Sequence, residues 1–362
     1  MRQTKAFLCA AFGLTAVTGL AAPQYKVVHL NNSVQRGVVR AGISQANEVV
    51  VGAQRANGDA ESFSWKNGVK TNLLGLGGTH GFYHNISSAG TYLFYNQFYN
   101  GSSAVPFPTV EVGGQFHFGN VVDSMNSSGL AVGYATYTDY DYVGYVYKNG
   151  VATLTNAPGS GKTIFFDVNE HGRAMVWGNN SGSFGPDQLY IWENGNYRNV
   201  TQYIFQPGSW LRGGFAINDK DEFTGDSSVY KPNQNGGYDR YLLPLASNGI
   251  RPGGYRLNNR DEILASARTN QNDPGPEGYI TTGGATYRLL DIIGDQLPGG
   301  AFNVRGLDIN DNGWIVGSYR LGNPLNADTH TQHAFVMQPV PEPLTLLTLG
   351  LGVAALRPRR KS

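Results

Sequence analysis

Along the body of the chain, short apolar runs alternate with polar turn formers in one recurring order. An apolar residue precedes Asn or Ser, two polar residues and a Gly or other turn former, and then a short β-rich run that often ends in Gly. The copies are Ile43-Ser44 to Gly52, Ile86-Ser87-Ser88-Ala89-Gly90, Met125-Asn126-Ser127-Ser128-Gly129, Val168-Asn169-Glu170-His171-Gly172, Ile217-Asn218-Asp219-Lys220-Asp221, Leu257-Asn258-Asn259-Arg260-Asp261 and Ile309-Asn310-Asp311-Asn312-Gly313. The leading apolar positions are separated by 43, 39, 43, 49, 40 and 52 residues. A period of about 40–45 residues with several short strands per unit predicts propeller blades.

A second pattern is locked to the first. An aromatic, alternating strand follows 20 to 26 residues later, at Phe63, Tyr145, Tyr190, Tyr241, Tyr279 and Phe335. Period-two alternation predicts a strand with one buried face. Asn67-Gly68, Asn149-Gly150 and Asn194-Gly195 then predict tight hairpins into a fourth strand, because both residues tolerate positive φ. In the second unit, Thr109 to Val112, Gly113-Gly114 and Gln115 to Phe118 predict the same hairpin. The expected fold is therefore all-β: a seven-bladed β-propeller of four-stranded blades over residues 24–338, with no helix in the body. The last unit lacks a fourth strand, and Tyr25 to Leu30 reads as a lone strand that closes the ring and removes its exposed edges.

Both ends read as processing segments. Residues 1–22 form a signal peptide: Arg2 and Lys5 supply the basic region, Ala6 to Leu20 the apolar region, and Gly19-Leu20-Ala21 the small residues before a cut. At the other end, Pro341-Glu342-Pro343 precedes an apolar segment, residues 344–356, which predicts a short hydrophobic helix. Arg357, Arg359, Arg360 and Lys361 end a basic tail, residues 357–361. Both apolar runs are shorter than the about 20 residues of a spanning helix, and the basic end is retained on the cytoplasmic side.

The segment 340–362 resembles the PEP-CTERM sorting signal of exported Gram-negative proteins. The resemblance implies recognition by an exosortase-type protease, cleavage near Pro341, Glu342 and Pro343, transient inner-membrane anchoring, and release to the surface or medium of exopolysaccharide-producing cells. The repeats resemble the extracellular HAF class. His333-Ala334-Phe335 supplies the naming triplet, complete only in the last unit, and Ile309 to Gly313 the preceding turn. That resemblance implies a fold and no activity.

Charge narrows the partners. The chain has 27 basic and 26 acidic residues. Removing both end segments leaves 21 against 25, a net charge of −4 and a poor trap for nucleic acid. The single cysteine, Cys9, lies in the leader, so the mature body has no disulfide.

Candidate chemistry is sparse. Gly159-Ser160-Gly161-Lys162-Thr163 ends like a phosphate loop, but Asn156 stands where the first Gly belongs and the residues after it read as a strand. Asp308, Asn310 and Asn312 match the first half of a calcium loop, with Tyr319 where a bidentate Glu is needed. Self-bonded Asx turns account for the same pattern. His80 with His84 and His330 with His333 lack further ligands for zinc. No cofactor is therefore expected, calcium excepted. The irregular loops between strands two and three remain. Tyr137, Asp139, Tyr140, Asp141, Tyr142, Tyr230 and Tyr238 are candidates to meet a sugar by stacking and hydrogen bonding. The expected protein is a monomeric, non-enzymatic binding propeller of the cell surface or matrix. The alternative is a secreted polysaccharide lyase or hydrolase acting through the loop face.

Overall fold

The computed structural model describes residues 22–30, 40–54, 60–73, 85–94, 97–99, 103–108, 111–112, 115–116, 120–138, 141–179, 188–204, 215–268, 275–324 and 330–341. The leader up to residue 21 and the tail from Glu342, including Pro343, lie outside them, as do His80, His84, Asp139 and Tyr140. Among the described residues, no helix is long and apolar enough to cross a membrane.

Seven antiparallel sheets form a seven-bladed β-propeller. The first blade runs Arg40–Ile43, Val49–Gln54, Ala60–Lys66 and Val69–Asn72. The third runs Asn120–Met125, Ala131–Thr138, Asp141–Lys148 and Val151–Thr155. The fourth runs Lys162–Val168, Arg173–Asn179, Gln188–Glu193 and Asn196–Asn199. The sixth runs Gly253–Leu257, Ile263–Ala267, Glu277–Thr282 and Ala285–Arg288. Lys162 to Val168 is thus a strand and not the helix a phosphate loop needs.

The core lies between blades, in seven apolar clusters that each join two neighbours. This explains the Val49-Val50-Val51 run. Val49 and Val51 pack with Val316 and Val336 of the seventh blade, while Val50 packs with Ile86 and Phe94 of the second. Inner strands are therefore buried on both faces, not on one as their aromatic alternation predicts. The fourth strand forms the rim, and in the first blade Val69–Asn72 is exposed throughout. Close packing also dictates small residues. A Cβ on Gly317 would stand 2.5 Å from the Phe335 ring on the adjacent strand.

Three departures from the predicted strands have local causes. In the second blade the strands are Asn85–Ile86, Tyr92–Phe94, Gln97–Tyr99 and Ala104–Pro106, and Glu111–Val112 pairs with Gln115–Phe116 as a separate hairpin. In the fifth blade the first strand shrinks to a bridge between Ile217 and Phe223, followed by Phe223–Gly225, Ser228–Pro232 and Tyr238–Leu242. Its core aromatic is Tyr230, which is fully buried and stacks on Phe223 at 4.8 Å, whereas Tyr241 lies on the rim strand, 50% exposed. The body also contains short helices at Thr201–Ile204 and Leu289–Ile293. Leu289 and Ile293 fill the cluster between the sixth and seventh blades.

The seventh blade consists of Phe302–Ile309, Ile315–Leu321, Thr331–Pro339 and, from the start of the chain, Tyr25–His29. The closing strand pairs in register from Tyr25 with Pro339 to His29 with Phe335. Leu30 N–H donates to Ala334 O at 3.0 Å, and Val340 N–H to Gln24 O at 2.9 Å. Gln296 Nε2 donates to Tyr25 O, and its Oε1 accepts from Val27 N–H, which ties the outer edge of the strand. Deleting residues 25–30 is expected to cost roughly 3–6 kcal/mol from Tyr25 and Leu30 burial alone. It also opens the edge of Thr331–Pro339. Thermal melting with light scattering should show a lower Tm or aggregation; an unchanged monomeric melt would contradict the role of the closure.

Candidate functional site

Strand one of every blade lines the central channel and ends in the recurring Asn or Ser turn. In the third through seventh blades the turn Asn accepts two backbone N–H groups on its Oδ1, two and four residues ahead. For Asn258 these are Arg260 and Glu262, both at 3.0 Å. The residue three ahead closes the turn in the left-handed region, as Asn47, Asp221 and Asp261 do with φ near 60° and Gly129, Gly172 and Gly313 with φ near 80°. This is a type I turn followed by a bulge residue, which favours Gly, Asn or Asp at that place.

The same asparagines join the blades. Nδ2 of Asn126 donates to Asn169 O, Asn169 to Asn218 O, Asn218 to Asn258 O, Asn258 to Asn310 O and Asn310 to Ser44 O, at 2.8 to 3.2 Å. The two remaining junctions use Gln45 N–H to Ser88 O and Asn85 Nδ2 to Asp123 O. One residue further on, side chains accept from the preceding blade. Asp219 accepts from Glu170 N–H, Asn259 from Asp219 N–H, Asp311 from Asn259 N–H and Gln45 from Asp311 N–H. One ring of directional bonds therefore surrounds this end of the channel, and a second set runs along it from the fourth blade round to the first.

These bonds account for the calcium candidates. Asp308 Oδ2 accepts from Ile43 N–H and its Oδ1 from Ile309 N–H. Asn310 Oδ1 accepts from Asn312 and Trp314 N–H, and the Asn312 amide donates to Gln45 O and Asn47 Oδ1. The three side chains point to three different sets of partners. Among the described residues no group of three or more His, Cys, Asp or Glu side chains is arranged to hold a metal ion. His330 and His333 also diverge: His330 bonds Asn323 O, and His333 bonds Thr331 and stacks on Tyr319.

The Tyr-rich candidates are placed differently from expectation. Tyr230 and Tyr238 lie in strands and are buried, Tyr238 edge-on to Phe223 and contacted by Arg198. Tyr142 pairs with Thr136 and is half-buried, its ring edge-on to Tyr134. Tyr137 and Asp141 belong to the strands as well, with Asp141 opposite Thr138. The strands Ala131–Thr138 and Asp141–Lys148 extend into residues that the sequence pattern assigns to the loop.

Ionisable groups converge instead in the channel. A cavity of about 130 Å³ is lined by Asp123, Asp167, Asp308 and Arg256, with Glu170, Asp219 and Asp311 toward the turn side. A second cavity of about 100 Å³ continues from Asp123 and Arg256 to Arg40. Asp167 Oδ2 accepts from Ile217 N–H, and its Oδ1 from Ser124 Oγ and Val168 N–H. Arg256 Nε stands 3.5 Å from Asp308 Oδ1. Enclosure by the channel wall pushes the Asp123 carboxyl up to about 7, with Asp167 adding to the rise and Arg256 and Arg40 opposing it. Enclosure likewise raises Asp308 to about 6, opposed by Arg256 and the backbone donors. Arg256 is held above its ordinary value because Asp308 and Asp167 outweigh its own desolvation.

No family model and no curated protein matches this chain. Among solved structures it is similar to a Dyadobacter fermentans protein of unknown function, with 11% identity over 88% of this chain and 98% of that one and a TM-score of 0.43. It is similar to the acylaminoacyl peptidase of Pyrococcus horikoshii (12% identity, 80% and 51% covered, TM-score 0.41) and to TolB of Acinetobacter baumannii (10%, 78% and 60%, 0.37). The chain spans about half of that peptidase and three fifths of that TolB. Likenesses at this level say nothing of activity or ligand.

Two outcomes follow from this geometry. Asn258→Ala removes the one acceptor of two backbone N–H groups and the bond to the next blade and should cost about 2–4 kcal/mol in chemical denaturation. Asn194→Ala, at an exposed rim turn, should cost about 1 kcal/mol. Asp123 has a folded pKa above its unfolded 3.8, so the folded state holds the extra proton between these values. Stability must then fall as pH rises from about 4 to about 7 and level off above, by about 1–3 kcal/mol for this group. Asp123→Asn should remove that slope and raise stability at pH 8 while leaving pH 4 unchanged.

Proposed function

We propose that this chain is an exported bacterial surface or extracellular-matrix protein, a non-enzymatic β-propeller that binds a partner and is sorted through its PEP-CTERM-type segment. The observation that supports the binding reading is how the channel carboxylates are held. Asp167 and Asp308 each accept two backbone N–H groups, one from the neighbouring blade, and Asp308 also faces Arg256. These donors oppose the rise that enclosure imposes on both carboxyls and fix them as structural acceptors between blades. The sorting reading rests on the arrangement of residues 340–362 and on the exosortase-type partner it implies, with exopolysaccharide or matrix as the surface to be met.

One observation favours a second reading, a polysaccharide lyase or hydrolase. Asp123 escapes those restraints and is pushed up to about 7 beside Arg256, in the range suited to general acid–base work. The two readings separate in one experiment on protein recovered from the native host. Incubated with the host's exopolysaccharide, wild type should co-sediment with the polymer and leave its size distribution unchanged by chromatography. Shortening of the polymer by wild type and not by Asp123→Asn would establish the enzymatic reading. The mass of the surface form should place its C-terminus near Pro341-Glu342-Pro343. Replacing Pro341 and Pro343 by Ala should retain the protein at the inner membrane. A surface form ending at Ser362 would refute sorting.

A further inference from the structure

A cleft larger than either channel cavity lies between the outer parts of the fourth and fifth blades. It holds about 390 Å³, against about 130 and 100 Å³ in the channel, and falls within the roughly 300–1,000 Å³ of small-molecule sites. Its origin is local. In the first, third, fourth and sixth blades two residues join strands three and four, as between Glu193 and Asn196. In the fifth blade strand three ends at Pro232 and strand four starts at Tyr238, and residues 233–237 form the Asn233 turn. That longer turn borders the cleft with the Pro232 ring and with Gly236 and Gly237. A Cβ on Gly236 would stand in open space. One wall of the junction therefore lacks the side chains that would fill it.

The opposite wall is one face of the hairpin Gln188–Glu193 and Asn196–Asn199. Ile191 stands opposite Arg198, and Glu193 opposite Asn196. These four side chains share the face, with diagonal neighbours about 7–8 Å apart. Two of them are held with polar atoms to spare. Arg198 Nη2 donates to Tyr238 Oη, and its guanidinium lies over that ring, 5.1 Å from the centroid. Among the described residues no carboxylate pairs with Arg198. Tyr238 is itself fixed edge-on to Phe223 at 4.8 Å and to Tyr203 at 5.6 Å. Glu193 gives Oε1 to Arg173 Nε at 3.2 Å, and its Oε2 has no partner among the described residues. Arg173 also pairs with Asp221, whose other oxygen accepts from Asn169.

Charge selects the ligand. Arg173 and Arg198 balance Glu193 and Asp221. An anion on Arg198 would lie beside Glu193, and a cation on Glu193 would lie beside two guanidinium groups. A hydroxyl both donates and accepts. Neighbouring hydroxyls can therefore serve the spare Glu193 oxygen and the spare Arg198 N–H groups together, while Ile191 and Pro232 add apolar surface for C–H groups. A neutral sugar ring carries both kinds of group. We propose that the cleft between the fourth and fifth blades binds one neutral hexopyranose unit, with Arg198 as its donor and Glu193 as its acceptor. The inference rests on the binding reading and names its ligand class. Its test reads a single sugar at one junction, whereas the polymer assay reads sedimentation and turnover, so each can fail alone.

The probes are the methyl α-glycosides of glucose, galactose and mannose, titrated calorimetrically into the full chain at about pH 7. At ordinary ligand efficiency a methyl hexoside binds with a Kd of about 1 mM. At least one of the three should bind saturably in that range. Its 6-carboxylate analogue, which brings a second negative charge beside Glu193, should bind at least tenfold more weakly. Arg198→Ala and Glu193→Gln should each lose about tenfold or more in affinity, because each removes a charge-assisted hydrogen bond. Competition by the host's exopolysaccharide would identify the ring as a unit of that polymer, and binding without competition would identify a free sugar. Absence of saturable binding by all three glycosides, equal binding to either variant, or tighter binding of the carboxylate analogue would each overturn the proposal. Should Glu193→Gln not fold, Arg198→Ala, whose side chain is exposed, and the comparison of glycoside with carboxylate on wild type decide it.

Discussion

The amide of a turn asparagine holds this molecule together in two directions at once. Its oxygen closes the hairpin of its own blade, and its nitrogen bonds the main chain of the next. A propeller blade buries both faces against its neighbours, so it has no core of its own to define its angle. Apolar packing is non-directional and tolerates a small rotation between sheets. The asparagine does not, because a hydrogen bond weakens steeply off axis. The packed clusters supply most of the stabilisation, and the turn amides set the pitch of the ring.

This device is also why so much of the fold is legible in sequence. The Asn or Ser and the left-handed residue three later recur in each unit because each satisfies a local steric need. The buried aromatics Phe63, Tyr145, Tyr190, Tyr279 and Phe335 stand where the repeat places them. The fifth blade misleads for a physical reason. Asn233 builds there a second copy of the same turn, with Oδ1 accepting from Asn235 and Gly237 N–H, between strands three and four. Pro232 before it suggests a loop, and the strand that holds Tyr230 is hidden. The second blade has Ser87 in place of Asn and very short strands, so its periodicity fades and a neighbouring hairpin takes its place in the pattern.

The channel was much less legible. Asp167, Arg256 and Asp308 stand immediately before the leading apolar residue of their units and all three line the channel, so alignment of the repeats contains that part of the signal. Asp123 does not share that position. A bulge moves it inward, and bulges leave no mark in a pattern of apolar and polar residues. Convergence of charges from the third, fourth, sixth and seventh blades is a property of closure, not of any one segment. The loop tyrosines show the converse. Aromatic residues in a polar stretch resemble a binding surface, yet Tyr230 and Tyr238 are core residues of a strand pair.

The bond from Val340 to Gln24 has a geometric consequence beyond closing the last blade. Both ends of the folded body leave the ring at one point on its rim. Whatever the chain carries before residue 24 or after residue 340 departs from the same spot, so a tether at either end would hold the disc by one corner. The other six blades carry neither end of the folded body.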